Sequence, residues 1–137
     1  MSLTEKSPAR GYLLDTHAAI FSISQSRSLS SAAKAAIAEG PNFLSVVSYW
    51  EVIMKSMNGK LDVGDPRAWW FEALNELAAT PLTLRPEHIA AIYSLPPAHR
   101  DPFDRILIAQ AIAEGLVLVS ADAEISRYAS KSLKIIG

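Results

Sequence analysis

An α/β domain is expected from this chain, with helices on both faces of a central, mostly parallel sheet of about five strands, in a three-layer sandwich. Short apolar runs alternate with helix-favouring segments of about ten residues along the chain, which is the order of strand–helix crossover units. The run at residues 116–119 is apolar at every position, as in strands that are buried on both faces. Half of the 137 residues are apolar and a fifth are charged, so the chain can bury one hydrophobic core.

The first strand and the first two helices follow from an apolar run and from helix-capping residues. Residues 12–14 predict a strand that ends at Asp15, and Thr16 can cap the helix that follows. Residues 30–39 are rich in alanine and predict a second helix. A Gly-Pro pair comes directly after this segment and ends the helix.

The second strand is expected at residues 43–47, and the helix after it carries Glu51 in its early turns. Apolar residues repeat at helical spacing along this helix until an Asn-Gly pair breaks the pattern. We therefore expect a stripe that faces the core and consists of Val47, Trp50, Ile53, Met54 and Met57.

Prolines mark the starts of the next two helices. Pro66 opens a helix whose apolar stripe is formed by Trp70, Leu74 and Leu77, with Phe71 and Ala78 beside it. Residues 82–84 predict the third strand, and Pro86 begins the following helix. Trp69 and Trp70 are adjacent and point about 100° apart on a helix, so one of them is expected to be partly exposed, as at an interface.

The last third of the chain predicts two strands and two helices. Asp101 is a cap followed by a proline at the first helical position, and a glycine stops this helix after Glu114. Residues 116–119 predict the fourth strand, Asp122 caps a short last helix, and residues 133–136 predict an edge strand.

Composition excludes several classes of protein. Cysteine is absent, which excludes disulfides and thiolate metal sites and is compatible with a reducing cytoplasm. The longest apolar stretch, residues 106–113, is far shorter than the roughly 20 residues of a membrane span. Residues 1–11 lack the apolar core of a secretory signal, and we expect a mobile leader there ahead of a single domain at residues 12–137. The net charge of −1 means that any polyanion must be held by a local patch or through bound metal.

Four acidic residues recur where a strand ends or the following helix begins: Asp15, Glu51, Asp104 and Asp122. Ligands of a parallel α/β sheet bind beyond the carboxyl ends of its strands, so these side chains are expected to converge. Converged carboxylates repel one another and stay ionised only with a cation such as Mg²⁺ or Mn²⁺ beside them. The pattern therefore predicts a site for a divalent metal.

Each acid also has a local structural explanation that stays open. Asp15 and Asp122 can cap helices. Glu51 fits a capping box with Ser48 and an i,i+4 ion pair with Lys55. Asp104 interacts favourably with the positive end of its own helix.

Other catalytic patterns are missing from the sequence. The three histidines have no metal-ligand spacing, and His17, next to Asp15, is the one that we retain as a contact at the rim. The sequence contains no GxSxG elbow and no phosphate-binding GxxxxGK[ST] loop, which argues against acyl chemistry and against a P-loop.

Four segments resemble those of PIN-domain nucleases, and the similarity is greatest to VapC-like toxins of bacterial type II toxin-antitoxin systems. The segments are YLLDTHAAIF, SVVSYWEVIMKSMNGKL, RDPFDRILIAQAIAEG and LVLVSAD, and the resemblance runs from Tyr12 to Tyr128. Two departures are modest, because Ser120 stands where a threonine is common and Ile125 where an aromatic residue is frequent.

The resemblance implies a PIN-like sandwich in which the four acids hold Mg²⁺ or Mn²⁺. Asp15 and Asp104 would be direct ligands, Asp122 would complete the site, and Glu51 would bind a second ion or orient water. Supporting polar residues would be Thr16, Asp101 and Ser120, and the basic residues nearest to the acids in sequence, which could contact phosphate, are Arg100, Arg105 and Lys55. The family further implies a homodimer and a cognate antitoxin that covers the active groove.

These expectations lead to a hypothesis, which is metal-assisted hydrolysis of RNA by a cytoplasmic toxin. One alternative is a catalytically silent, PIN-like module that binds protein. The other is a Mg²⁺-dependent phosphotransfer domain, which fits less well because a haloacid-dehalogenase-type enzyme needs DxD where this chain has Asp15, Thr16 and His17.

Overall fold

The computed structural model describes residues 10–25, 28–96 and 101–137. A five-stranded sheet lies at its centre, with the strand order β3-β2-β1-β4-β5. Each neighbouring pair is parallel. The strands are β1 (Tyr12–Leu14), β2 (Asn42–Ser45), β3 (Ala79–Leu82), β4 (Val117–Val119) and β5 (Ile135–Ile136). The α/β class and the parallel sheet of about five strands are thus confirmed.

Helices cover both faces of this sheet. Within the described residues they are α1 (Thr16–Ile23), α2 (Ser31–Glu39), α3 (Val46–Met57), α4 (Pro66–Glu76), α5 (Pro86–Ile92), α6 (Pro102–Glu114) and α7 (Ala123–Ser126). Adjacent residues of a strand point to opposite faces, so Leu14 packs into a core with α1, α2 and α4, whereas Leu13 packs into a second core with α6. The result is a three-layer sandwich in which the loops after β1, β2 and β4 lie at the carboxyl edge of the sheet.

Two strands start or end earlier than the sequence predicts. The third strand was expected at residues 82–84, but β3 pairs with β2 from Ala79 to Leu82. It lies at the edge of the sheet, where Pro81 is tolerated and no continuous apolar run is needed. The second strand ends at Ser45 because the hydroxyl of this residue accepts from the Val47 backbone N–H and caps α3.

The stripe predicted to face the core on α3 is wrong for three of its members. Trp50, Met54 and Met57 are exposed, Trp50 at 50% of its surface. The side of α3 that turns inward instead carries Val47, Ser48, Glu51 and Val52. A carboxylate therefore lies in the interior where the hydrophobic pattern had placed an indole.

The prediction of an exposed tryptophan on α4 is also wrong. Trp69 and Trp70 are both buried, at 4% and 6% exposure. Trp70 stacks on Tyr49, with ring centroids 4.8 Å apart, and Phe71 takes the outward position. The adjacent tryptophans therefore give no indication of an interface.

A buried histidine joins α5 to α6. The Nδ1 atom of His88 accepts from the Arg85 backbone N–H at 3.0 Å, so Nε2 carries the proton and donates to Glu114 Oε2 at 2.7 Å. Gln110 Nε2 lies 3.3 Å from the same Nδ1, and its Oε1 accepts from the Ser45 hydroxyl at 2.6 Å. This network connects the helix that carries Asp104 with the end of β2.

Two further expectations concern the predicted leader at the start of the chain and membrane-spanning helices. Most of the predicted leader lies outside the described residues, although the Gly11 carbonyl accepts from the Val117 backbone N–H. No helix in the described part is long and apolar enough to cross a bilayer.

We predict that His88→Ala lowers the free energy of unfolding by about 2 to 4 kcal/mol, because it leaves buried polar partners unsatisfied and opens a cavity. Urea denaturation followed by circular dichroism measures this change. Tyr93→Ala is the matched control on the same segment, since Tyr93 is 97% exposed and its loss should change stability by less than about 0.5 kcal/mol. Equal effects of the two substitutions would contradict the assigned network.

Candidate metal centre

The candidate site lies at the carboxyl edge of the sheet where the strand order reverses. The chain places β2 on one side of β1 and, after the crossover, β4 on the other side. Asp15 follows β1, Ser120 follows β4, and α3 with Glu51 begins directly after β2. A switch point of this kind opens a crevice between neighbouring loops, where α/β proteins bind ligands.

Asp15 is a buried carboxylate in this crevice. It is 3% exposed, and its Oδ1 accepts from the Ala18 backbone N–H at 2.7 Å, so it caps α1. Burial raises the pKa of Asp15 above its usual value, and the charge of Glu51 acts in the same direction. Hydrogen bonds from Ser120 and Ala18 oppose this rise only in part. Its negative charge is therefore incompletely compensated.

The sequence suggests that Thr16 caps α1, but in the structure Thr16 supports Glu51 instead. Its hydroxyl donates to Glu51 Oε1 at 2.6 Å and lies 2.9 Å from the Ser48 hydroxyl. The capping box predicted for Ser48 and Glu51 is wrong, because the cap of α3 is Ser45. Thr16 thus connects α1, which follows Asp15, with α3, which carries Glu51.

Lys55 supplies the positive charge nearest to Glu51. Its Nζ lies 2.6 Å from Glu51 Oε2, which confirms the predicted i,i+4 pair. Burial disfavours the ammonium, but the hydrogen bond to Glu51 and the charges of Glu51, Asp101 and Asp104 outweigh this effect and raise the pKa of Lys55. The ammonium therefore lies in the combined field of acids on α3 and at the start of α6.

Asp101 and Asp104 stand at the amino end of α6. Asp101 caps this helix, because its Oδ1 accepts from the backbone N–H groups of Phe103 and Asp104, at 2.9 and 3.3 Å. Asp104 lies in the first turn and is partly buried. The predicted cap is confirmed, and it fixes the direction in which α6 enters the site.

Asp122 is connected to Asp15 through Ser120. The buried Ser120 hydroxyl accepts from the Asp122 backbone N–H at 3.1 Å and is hydrogen-bonded to Asp15. The Asp122 side chain itself is exposed and caps α7 through the Glu124 backbone N–H at 2.8 Å. The caps of α1 and α7 therefore share one serine.

The side chains supply the oxygen donors that Mg²⁺ and Mn²⁺ prefer. Asp15 gives the clearest sign of fit, since a buried carboxylate with a raised pKa is the kind of group that a bound cation relieves. Within residues 10–25, 28–96 and 101–137, no three His, Asp or Glu side chains are already close enough to form a metal site. Filling the site with a metal therefore requires carboxylate side chains to turn toward one another.

The basic residues predicted to contact phosphate differ in their surroundings. Arg105 donates to the Pro96 carbonyl at 2.8 Å and lies 3.3 Å from the Tyr128 hydroxyl, contacts that account for the side chain without a substrate. Arg100 lies outside the described residues. His17, predicted at the rim, is exposed, and its charge lowers the pKa of Asp15.

An aromatic pair beside the site is not predicted by the sequence pattern. Trp50 and Phe103 contact each other edge to face, with centroids 4.8 Å apart. Each precedes a candidate acid, Glu51 or Asp104, so the pair borders the site between α3 and α6. The residue pairs Trp-Glu and Phe-Asp are visible in the sequence, but the helical periodicity of α3 predicts that Trp50 faces the core.

Comparisons with known proteins agree with this architecture. A family model described as PIN domain matches residues 12–131. A solved chain from the crystal structure of VapBC2 from Rickettsia felis, bound to a DNA fragment from their promoter, superimposes with a TM-score of 0.67. The match has 15% sequence identity and covers 91% of this chain and 96% of that chain, a likeness that shows the fold alone. No curated protein matches the sequence.

We predict that Asp15→Asn stabilises the metal-free protein at pH 7 by roughly 0.5 to 2 kcal/mol, the range common for single stabilising substitutions, because the amide removes a buried charge that is only partly compensated. The folded-state pKa of Asp15 lies above 3.8. The cost of the buried charge is therefore present in full above the folded pKa and disappears as the pH falls toward the unfolded value. Urea denaturation with a chelator should show a smaller gain at pH 4 than at pH 7.

The matched control for this prediction is Asp65→Asn. Asp65 caps α4 and pairs with Arg67, and these hydrogen bonds lower its pKa, so its neutralisation should bring no gain at pH 7. A loss of stability in Asp15→Asn, or a gain that grows on acidification, would show that burial of this charge is not costly.

Proposed function

The chain belongs to the PIN domain family, and on this premise we propose that it is a divalent-metal-dependent ribonuclease and the toxin of a toxin-antitoxin pair. The observation that supports the proposal most is the buried Asp15 at the switch point, which is hydrogen-bonded to Ser120 and lies in the field of the Glu51 carboxylate. In the proposal, the domain at residues 12–137 carries the activity and works in the cytoplasm.

Mg²⁺ or Mn²⁺ would supply the chemistry of an activated water and of charge neutralisation on the scissile phosphate. Asp15 and Asp104 are the proposed direct ligands, and Asp122 completes the set. Ser120 holds Asp15 by a hydrogen bond, and Asp101 fixes the helix turn that bears Asp104. In this proposal, carboxylates from three separate elements would share one cation.

Glu51 and Thr16 have positioning roles in this proposal. Thr16 holds one Glu51 oxygen at 2.6 Å, and Lys55 holds the other at the same distance. A carboxylate that is fixed at both oxygens and 1% exposed contributes a stationary negative charge close to Asp15. This charge favours the binding of a cation at the neighbouring acids.

The partners in the proposal are an RNA substrate, a cognate antitoxin and a second copy of the chain. The similar solved structure is described as a VapBC2 complex, and its likeness in fold supports the search for an antitoxin of this chain. The homodimer is proposed from the resemblance to VapC-like toxins.

Asp15→Asn and Asp104→Asn should each lower Mn²⁺-dependent cleavage of RNA by more than about 100-fold, beyond the 10- to 100-fold typical of a residue that only supports a ligand. Initial rates on labelled RNA measure this loss. Asp65→Asn is again the control, because this acid is exposed at the cap of α4, and it should keep full activity. Undiminished cleavage by either folded site variant would refute the assignment of that residue.

Total RNA incubated with the purified chain and Mn²⁺ should acquire a limited set of new 5′ ends, because a protein with no overall basic charge needs local contacts to choose its substrate. Sequencing of the cleaved 5′ ends identifies the substrate. Complete absence of cleavage with both Mg²⁺ and Mn²⁺ would instead favour the catalytically silent binding module.

A further inference from the structure

Trp50 is an exposed aromatic residue next to the acids of the site. Half of its surface is accessible to water, whereas the other two tryptophans of the chain, Trp69 and Trp70, are buried. Met54 and Met57 follow Trp50 at helical spacing on α3 and are exposed as well. Contiguous apolar surface in contact with water marks a binding face.

Phe103 holds the exposed indole in place. The two rings meet edge to face, with centroids 4.8 Å apart and an interplanar angle of 77°, which is a favourable arrangement of aromatic rings. Phe103 itself packs against the core that contains Leu13 and α6. Trp50 is therefore fixed in direction although it is half exposed.

The aromatic pair lies at the rim of the acidic crevice. Glu51 follows Trp50 on α3, and Asp104 follows Phe103 on α6. Neighbouring residues of a helix point about 100° apart, so Glu51 turns into the interior while Trp50 faces outward beside it. The two helices pack against each other, and the pair lies where they meet.

A nucleic acid at this rim cannot depend on a surplus of positive charge. The chain has a net charge of −1, and the Lys55 ammonium is paired with Glu51 at 2.6 Å. Arg105 donates to the Pro96 carbonyl at 2.8 Å. Stacking of a base on an aromatic ring requires no net charge and works for every base, because each base has a π-face.

We propose that Trp50, held by Phe103, is the stacking surface for one unpaired nucleobase of the RNA beside the cleaved bond. This inference rests on the proposed function, because it assumes that RNA reaches the acids. Both faces of a base inside a duplex are covered by its neighbours, so the substrate is single-stranded at this nucleotide. Trp50 thus selects unpaired RNA and leaves the choice of sequence to other contacts.

The first test compares kcat and KM of variants on a single-stranded RNA that the wild type cleaves. Trp50→Ala should raise KM by about 10-fold, as expected for the loss of one base stack, and leave kcat nearly unchanged. Trp50→Phe should recover most of this loss. Phe71→Ala removes an exposed aromatic side chain from α4; it is the matched control and should behave as the wild type does.

Salt separates stacking from a contact with phosphate. The rise in KM caused by Trp50→Ala should be the same at about 50 and about 200 mM salt, because contacts to phosphate weaken with salt and stacking does not depend on charge. A rise that disappears at the higher salt concentration would overturn the stacking role.

RNA that lacks a single base separates contact with a base from a structural role of Trp50. Removal of the base at one nucleotide beside the cleaved bond should raise KM of the wild type by about the same factor as Trp50→Ala does, and should cause no further loss in that variant. Equal losses in both proteins at every such nucleotide would overturn the inference, because Trp50 would then contact no base.

Tryptophan fluorescence detects the contact without cleavage. Asp104→Asn protein with Mn²⁺ is titrated with a single-stranded RNA and with the same sequence as a duplex. Because Trp50 is the exposed tryptophan among three, the single strand should quench part of the emission and the duplex should not. Trp50→Phe in the same protein should abolish the quenching.

The outcomes separate this inference from the proposed function. Cleavage of RNA with an unchanged KM in Trp50→Ala would overturn the role of Trp50, leave the nuclease proposal standing and assign the exposed side of α3 to a protein partner. Quenching by single-stranded RNA without cleavage by the wild type would support the stacking surface and overturn the nuclease. Neither cleavage nor quenching would overturn both.

Discussion

Burial of negative charge at the carboxyl edge of the sheet is the constraint on which the arrangement of this site depends. Asp15 and Glu51 are almost completely inaccessible to water, so each must be compensated by hydrogen bonds or by positive charge. Ser120, Ala18 and Thr16 supply the hydrogen bonds. The serine and threonine therefore serve the neighbouring acids, and only Asp15 among these residues caps α1.

Some elements of the molecule could be predicted from the sequence, whereas the buried face of α3 could not. Strands β1 and β4 are short, uniformly apolar runs, and α6 begins at an Asp-Pro pair, so their types and approximate positions were clear. The face of α3 that is buried was not clear from the sequence. Hydrophobic periodicity placed Trp50 inside and left Glu51 on a flank, whereas the protein buries Glu51 and exposes Trp50.

Helix periodicity failed on α3 because tertiary contacts outweighed it. The hydrogen bond from Thr16 and the ion pair with Lys55 make burial of Glu51 possible, and neither the spacing nor the composition of α3 reveals a partner on α1. At β3 the failure had a different cause, since an edge strand needs no continuous apolar run. Local sequence thus predicted the class of the sheet and the caps at Asp101 and Asp122, while the contacts between distant residues around Asp15 and Glu51 required the structure.

The central claim, that acids from separate strands and helices hold a hard cation, is tested most directly by crystallography with Mn²⁺. Anomalous scattering near the manganese edge locates the ion independently of any activity. We expect a strong peak within coordination distance of the Asp15 and Asp104 carboxylates. Ordered Mn²⁺ only at other surfaces, with the crevice beside Asp15 filled by water, would contradict this account.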